Sequence, residues 1–171
     1  MSAVTTGRSY AAQGYSDHPS KHGAMEGVRS PAQVFALVIG ATLTVAGVVG
    51  FFYNADFGTG DGTARDAVLG ILDVNGWHNV VHIATGVLGL AVAGSYDGSR
   101  VYAVAFGVIY LVVALAGFIA GDGGEILSLI PVNTEDNFLH LLIGIAGIGA
   151  GLATPAREPL AGATRPAARA A

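Results

Sequence analysis

From residue 32 to residue 53 the chain carries no charge, and only Gln33, Thr42 and Thr44 interrupt a run of apolar and small residues. At about 1.5 Å of rise per residue, a helix of that length crosses roughly 30 Å of hydrocarbon. Three further mostly apolar runs follow, at 76–94, 101–121 and 134–153, the last opening with the acids Glu135 and Asp136. Pro31 suits the first turn of the first helix, and Phe51, Phe52 and Tyr53 form an aromatic end of the kind that sits at a membrane interface. Of the 171 residues, 52% are hydrophobic and only 12% are charged, where soluble domains carry about 25% charged residues. The expected fold is all-α, a four-helix transmembrane bundle occupying residues 31–153.

The connections set the orientation. Arg8, Lys21, Arg29, Arg100, Arg157, Arg165 and Arg169 fall in the two tails and the 95–100 turn, while the two long loops hold only Arg65. By the positive-inside rule both termini are expected in the cytoplasm, with the long acidic loops facing outward, in a multi-pass protein of the plasma membrane. Residues 1–30 and 154–171 read as disordered cytoplasmic tails. His18 and His22 stand four apart in the first of them, but Pro19 between them opposes a regular helix. In the first long loop, 63–72 reads as a short surface helix capped by Thr63, with Asp66 three residues on. The second, 122–132, carries the apolar run 126–130. The chain has no cysteine, which removes disulfides, thiolate metal sites and iron–sulfur clusters.

The chain also repeats itself. Leu69, Val74, Asn75, Asn79, His82, Gly86 and Gly89 recur in order 58 residues later as Leu127, Val132, Asn133, Asn137, His140, Gly144 and Gly147. Val34, Ala36, Gly40, Gly50 and Phe51 recur as Val101, Ala103, Gly107, Gly117 and Phe118. Each unit holds two spans, so both keep one orientation in the membrane: two parallel two-helix repeats related by an axis along the membrane normal.

At 100° per residue, Asn75, Asn79, His82, Gly86 and Gly89 share one stripe of the second span, and their counterparts share one stripe of the fourth. Small residues let helix backbones approach in lipid, and polar side chains hydrogen-bond across them. The second and fourth spans are therefore expected to meet along these stripes, with Gly86, Gly89, Gly144 and Gly147 as the packing residues. Asn75 and Asn133 read as helix caps. His82 and His140 lie about 10 Å beyond their caps, a depth at which an ionisable group marks function or a specific partner.

Three readings of the histidines remain open. Neutral imidazoles hydrogen-bonded to Asn79, Asn137 or helix carbonyls would fix the register of the seam. Paired axial ligands with glycines clearing space would suit haem. His78 and His82, four apart, with Asp136 and His140 as the equivalent pair, would suit a divalent metal such as Zn²⁺ or Cu²⁺, or a proton-sensing site. No catalytic serine motif, phosphate-binding loop or basic nucleic-acid patch is present. The favoured function is a non-enzymatic structural or accessory envelope protein; the alternative is a haem- or metal-binding membrane protein using His82 and His140. Partners are the lipid bilayer and other envelope membrane proteins or itself, not nucleic acid.

The segment Asn75-Gly76-Trp77-His78-Asn79-Val80-Val81-His82 with its following Gly-x-x-Gly, and Asp136-Asn137-Phe138-Leu139-His140 with its own, resemble a family of small actinobacterial four-span membrane proteins. That family is catalogued as a domain of unknown function, number four-three-eight-three. The resemblance covers about residues 33–153 and implies an integral membrane protein of the cell envelope, without an activity.

Overall fold

The computed structural model describes residues 28–60, 63 and 66–157. His18, His22 and most of both tails lie outside the described residues. Helix, hairpin and helix follow one another twice. α1 (Pro31–Tyr53) leads through β1 (Asp66–Val68) and β2 (Leu72–Val74) to α2 (Gly76–Val92). α3 (Tyr96–Ala120) leads through β3 (Gly124–Ile126) and β4 (Ile130–Val132) to α4 (Thr134–Leu152). Among the described residues, α1 and α3 are long and apolar enough to cross a membrane, with mean hydropathies of 2.3 and 2.5. α2 and α4 are shorter, at 17 and 19 residues.

The helix starts follow from capping chemistry. Ser30 and Gln33 close a reciprocal capping box behind Pro31. Asn75 Oδ1 accepts from the His78 amide, and Asn133 Oδ1 from the Asp136 amide, each at 2.9 Å. Ser95 caps α3 by accepting from the Gly98 amide at 3.1 Å. The stretch expected to be a turn before residue 101 is therefore the beginning of α3.

The short helix expected at 63–72 is replaced, from Asp66 on, by the antiparallel hairpin β1–β2, in the register Asp66↔Val74 and Val68↔Leu72. A ten-residue helix in water is marginal on its own, whereas strand pairing satisfies the same backbone against a neighbour. The second loop forms the matching hairpin β3–β4, with Gly124↔Val132. Both turns need left-handed backbone, at Leu69 (φ 55°) and Gly70 in the first, and at Leu127 (φ 55°) and Ser128 in the second.

The hairpins clasp one another through the helix caps. Asn75 Nδ2 donates to the Leu129 carbonyl at 2.7 Å, and Asn133 Nδ2 donates to the Ile71 carbonyl at 2.6 Å. Each asparagine thus caps its own helix with its oxygen and holds the other hairpin with its nitrogen. Asn75→Asp keeps the cap but deletes the donor, and is expected to cost about 1–3 kcal/mol. Thermal unfolding in detergent checks this, and an unchanged midpoint would mean that the clasp contributes nothing.

Helix pairing differs from expectation. The stripes of α2 and α4 do not face each other: α2 packs on α1, and α4 packs on α3. A Cβ on Gly86 would lie 2.6 Å from the Thr44 amide nitrogen and 2.8 Å from the Gly40 carbonyl oxygen. One on Gly144 would meet the Gly107 carbonyl oxygen at 3.0 Å, and one on Gly147 the Ala103 carbonyl oxygen at 2.8 Å. The reason lies in α1 and α3, whose own glycines present the hollow into which a glycine-bearing helix fits. Asn79 and Asn137 press their amide oxygens against Gly50 and Gly117 in the same way.

Between the two pairs, α1 and α3 meet through an aromatic core. Phe35 packs edge-on to Phe106 at 5.9 Å, while Tyr102, Phe106 and Tyr110 stack in a row. The end opposite the hairpins is tied by Thr154, which accepts from the Ala32 amide at 2.9 Å through Oγ1. Arg100 Nε donates to the Thr154 carbonyl at 2.9 Å. The outward helix faces are apolar, including Val45, Phe52, Leu88, Val112, Ile119 and Leu142.

Candidate metal centre

The capped start of α2 aims two histidines inward. His78 sits at the third helical position, and its Nδ1 lies 2.9 Å from the Asp73 carbonyl oxygen of β2. A carbonyl only accepts, so Nδ1 carries the proton and Nε2 keeps a free lone pair. His82 follows one turn later, with its ring 4.3 Å from that of His78. α4 brings in His140, whose ring lies 6.1 Å from His78 and edge-on to Tyr110 at 5.2 Å. One nitrogen from each of His78, His82 and His140 lies within 4.8 Å of the other two.

Asp136 stands on α4 where His78 stands on α2, and it does not join this cluster. Its Oδ2 accepts from the Asp73 amide at 3.0 Å and from the Asn133 amide at 3.4 Å. One residue of β2 therefore holds both positions, His78 through its carbonyl and Asp136 through its amide. A cavity of about 200 Å³ lies beside the rings, between α1, α2 and α4 and under the first hairpin. Leu43, Ala46, Tyr110 and Leu139 contribute to its walls.

The histidines do not serve the hydrogen-bonded seam allowed for in the sequence. Asn79 Nδ2 donates to the Asn54 carbonyl at 2.8 Å, and among the described residues the Asn79 and Asn137 amide oxygens have no hydrogen-bond partner, an imidazole included. His140 is 7% exposed, and its Nδ1 is buried with no hydrogen-bond partner among the described residues. A buried polar atom left in this state costs about 1–3 kcal/mol.

Haem does not fit. α1 touches α2 at Gly86, and α3 touches α4 at Gly144, backbone against backbone or side chain. The cavity of about 200 Å³ is below the roughly 300 Å³ at which pockets for small organic ligands begin. A divalent metal fits better. Zinc–nitrogen bonds of about 2.0–2.1 Å put tetrahedral ligands roughly 3.4 Å apart, so donors within 4.8 Å of one another need to close by at most about 1.4 Å. The His78–Asp73 bond is also the kind of second contact that orients metal-bound imidazoles.

Of the residues singled out in the sequence, His78, His82 and His140 come together, Asp136 lines the same cavity, and Asn79 and Asn137 belong to helix packing. Tyr110 also lines the cavity, and nothing in the sequence marks either that residue or the Asp73 backbone as part of the site. The spacing of Asp73 from His78 carries no signal until the hairpin is known.

The fold and site define a helical protein with two membrane-capable helices and a histidine cluster at the hairpin end. The chain belongs to the family described as Domain of unknown function (DUF4383), which matches residues 33–153. No curated protein and no solved structure matches it.

Proposed function

We propose that the chain is a four-span envelope membrane protein that binds a divalent transition-metal ion, Zn²⁺, through His78, His82 and His140 near the outer surface. The observation that carries this reading is the convergence of three imidazole nitrogens within 4.8 Å, one with its tautomer set by a backbone carbonyl and one with a buried, unpartnered ring nitrogen. Imidazole donors suit zinc or Cu²⁺, and the absence of cysteine leaves no thiolate to favour Cu⁺.

The membrane placement rests on the apolar outer faces and on length. α2 and α4, with 17 and 19 residues, reach roughly 26–29 Å, enough to span if the bilayer thins slightly. Arg29, Arg100 and Arg157 gather at the termini end, and Asp56, Asp66, Asp73 and Asp122 at the hairpin end, which supports cytoplasmic termini. The reciprocal Asn75 and Asn133 bonds, and the paired Gly50–Asn79 and Gly117–Asn137 contacts, support two parallel copies of one unit.

In this reading the ion joins α2 to α4, helices that otherwise meet only thinly, and an accessory role in the envelope would be exerted through that link. Elemental analysis of the detergent-purified chain tests it. One zinc per chain is the expected result, and no stoichiometric metal, together with no uptake on titration, would overturn the site. Topology is tested separately. The chain has no cysteine, so Leu69→Cys and Leu127→Cys, at residues 78% and 83% exposed, each introduce a single thiol. Both should react with a membrane-impermeant maleimide in intact cells, and protection of both would reverse the orientation.

A further inference from the structure

Granting the three-histidine ion, we propose that its fourth coordination position is open to a small exchangeable ligand, water or a small monodentate anion, held in the adjoining cavity. This inference rests on the zinc reading above and adds a property to it.

The argument comes from where the two halves differ. His82 and His140 are counterparts, as are His78 and Asp136, and Leu43 and Tyr110, and all six line one cavity. Had both copies kept the histidine of the first, four imidazoles would surround the ion. Four protein ligands make the closed sphere of structural zinc sites, while three leave the open position found in catalytic ones.

The second copy instead carries Asp136, and one oxygen of its carboxylate is committed elsewhere. Oδ2 is held by the amides of Asp73 and Asn133, and Asp136 stands outside the group of mutually close donors. The divergence thus removes the ligand that would close the sphere.

Space remains for what replaces it. A cavity of about 200 Å³ equals several waters at roughly 30 Å³ each. Its walls are otherwise mostly aliphatic, contributed by Leu43, Ala46, Val49, Leu72 and Ile143. Tyr110, the counterpart of Leu43, adds an aromatic wall edge-on to His140. The volume admits a water or a two- to three-atom anion and excludes larger organic ligands.

The test uses Co²⁺, whose visible absorption reports coordination number and ligand exchange, on the full chain in detergent, with azide as the added anion. The parent should bind one Co²⁺ with a four-coordinate spectrum that shifts saturably with azide. Asp136→His should bind Co²⁺ at least tenfold more tightly and lose the azide response, because the fourth imidazole fills the position.

Because that substitution also disturbs the start of α4, Asp136→Asn serves as a second variant. It keeps an acceptor for the two amides and should retain both cobalt and the azide shift. A parent that binds Co²⁺ but ignores azide overturns the open position while leaving the metal site standing. Loss of Co²⁺ from Asp136→Asn makes Asp136 the fourth ligand and overturns it as well. A parent that binds no Co²⁺ or Zn²⁺ overturns the zinc reading itself.

Discussion

His140→Ala is expected to lose the metal ion and, with it, the thermal stabilisation that zinc confers on the parent. Deleting one of three ligands should weaken zinc binding by more than a hundredfold, since second contacts to a ligating histidine are alone worth about 10–100-fold. At a free zinc concentration about a hundred times its dissociation constant, the parent gains roughly 2.7 kcal/mol, and the variant gains almost none of it. The metal-free comparison has a different sign structure. There the substitution removes a buried nitrogen that has no partner, offsetting part of the usual cost of truncating a core side chain. The variant should therefore unfold somewhat below the parent in chelator, and the gap should widen by several further degrees in zinc. A His140→Ala chain that responds to zinc as the parent does would remove His140 from the site.

The second large effect lies in the helix packing. Gly50→Ala would drive a methyl group into the Asn79 amide, whose oxygen already occupies that space. Asn79 is fully buried and tethered, its Nδ2 donating to the Asn54 carbonyl at 2.8 Å. It cannot swing away without breaking that bond, so the cost should reach the upper end of the usual overpacking range, about 3 kcal/mol. Gly117→Ala makes the equivalent clash with Asn137. Asn137 has no such tether among the described hydrogen bonds, so this cost should be smaller. Gly149→Ala is the control, because nothing lies within 4 Å of its added carbon. There the better helix propensity of alanine should leave stability unchanged or raise it by up to about 1 kcal/mol. Denaturation in mixed detergent ranks the three, and equal midpoints for the Gly50 and Gly149 variants would refute the amide-on-glycine packing.

How far the sequence reaches is clear from these positions. The four helices are legible in their apolar runs, and the caps of α2 and α4 in Asn75 and Asn133, because both depend on residues close in the chain. The hairpins are not. Their turns use Leu69-Gly70 and Leu127-Ser128 in left-handed backbone, without the Asn-Gly pair that announces such turns, and each strand has only three residues. The stripes of α2 and α4 are legible as packing faces, but their partners are not. Gly40 and Gly50 recur as Gly107 and Gly117, yet a glycine in a span says only that something comes close, never what. The depth of His82 and His140 marks them in the sequence as a pair to explain. That they meet His78, and that Asp73 holds His78 and Asp136 from one residue, depends on the hairpin folding over the helix ends.

The reciprocal bonds of Asn75 and Asn133 have a consequence for assembly. Each side of the clasp gives the other the same donor that it receives, as in an isologous contact between identical subunits. Such a contact is complete with two members. Both asparagine nitrogens and both facing carbonyls are engaged. One chain thus contains, between its own two halves, the pairing that identical subunits make in a dimer, and a change on one side has a counterpart on the other.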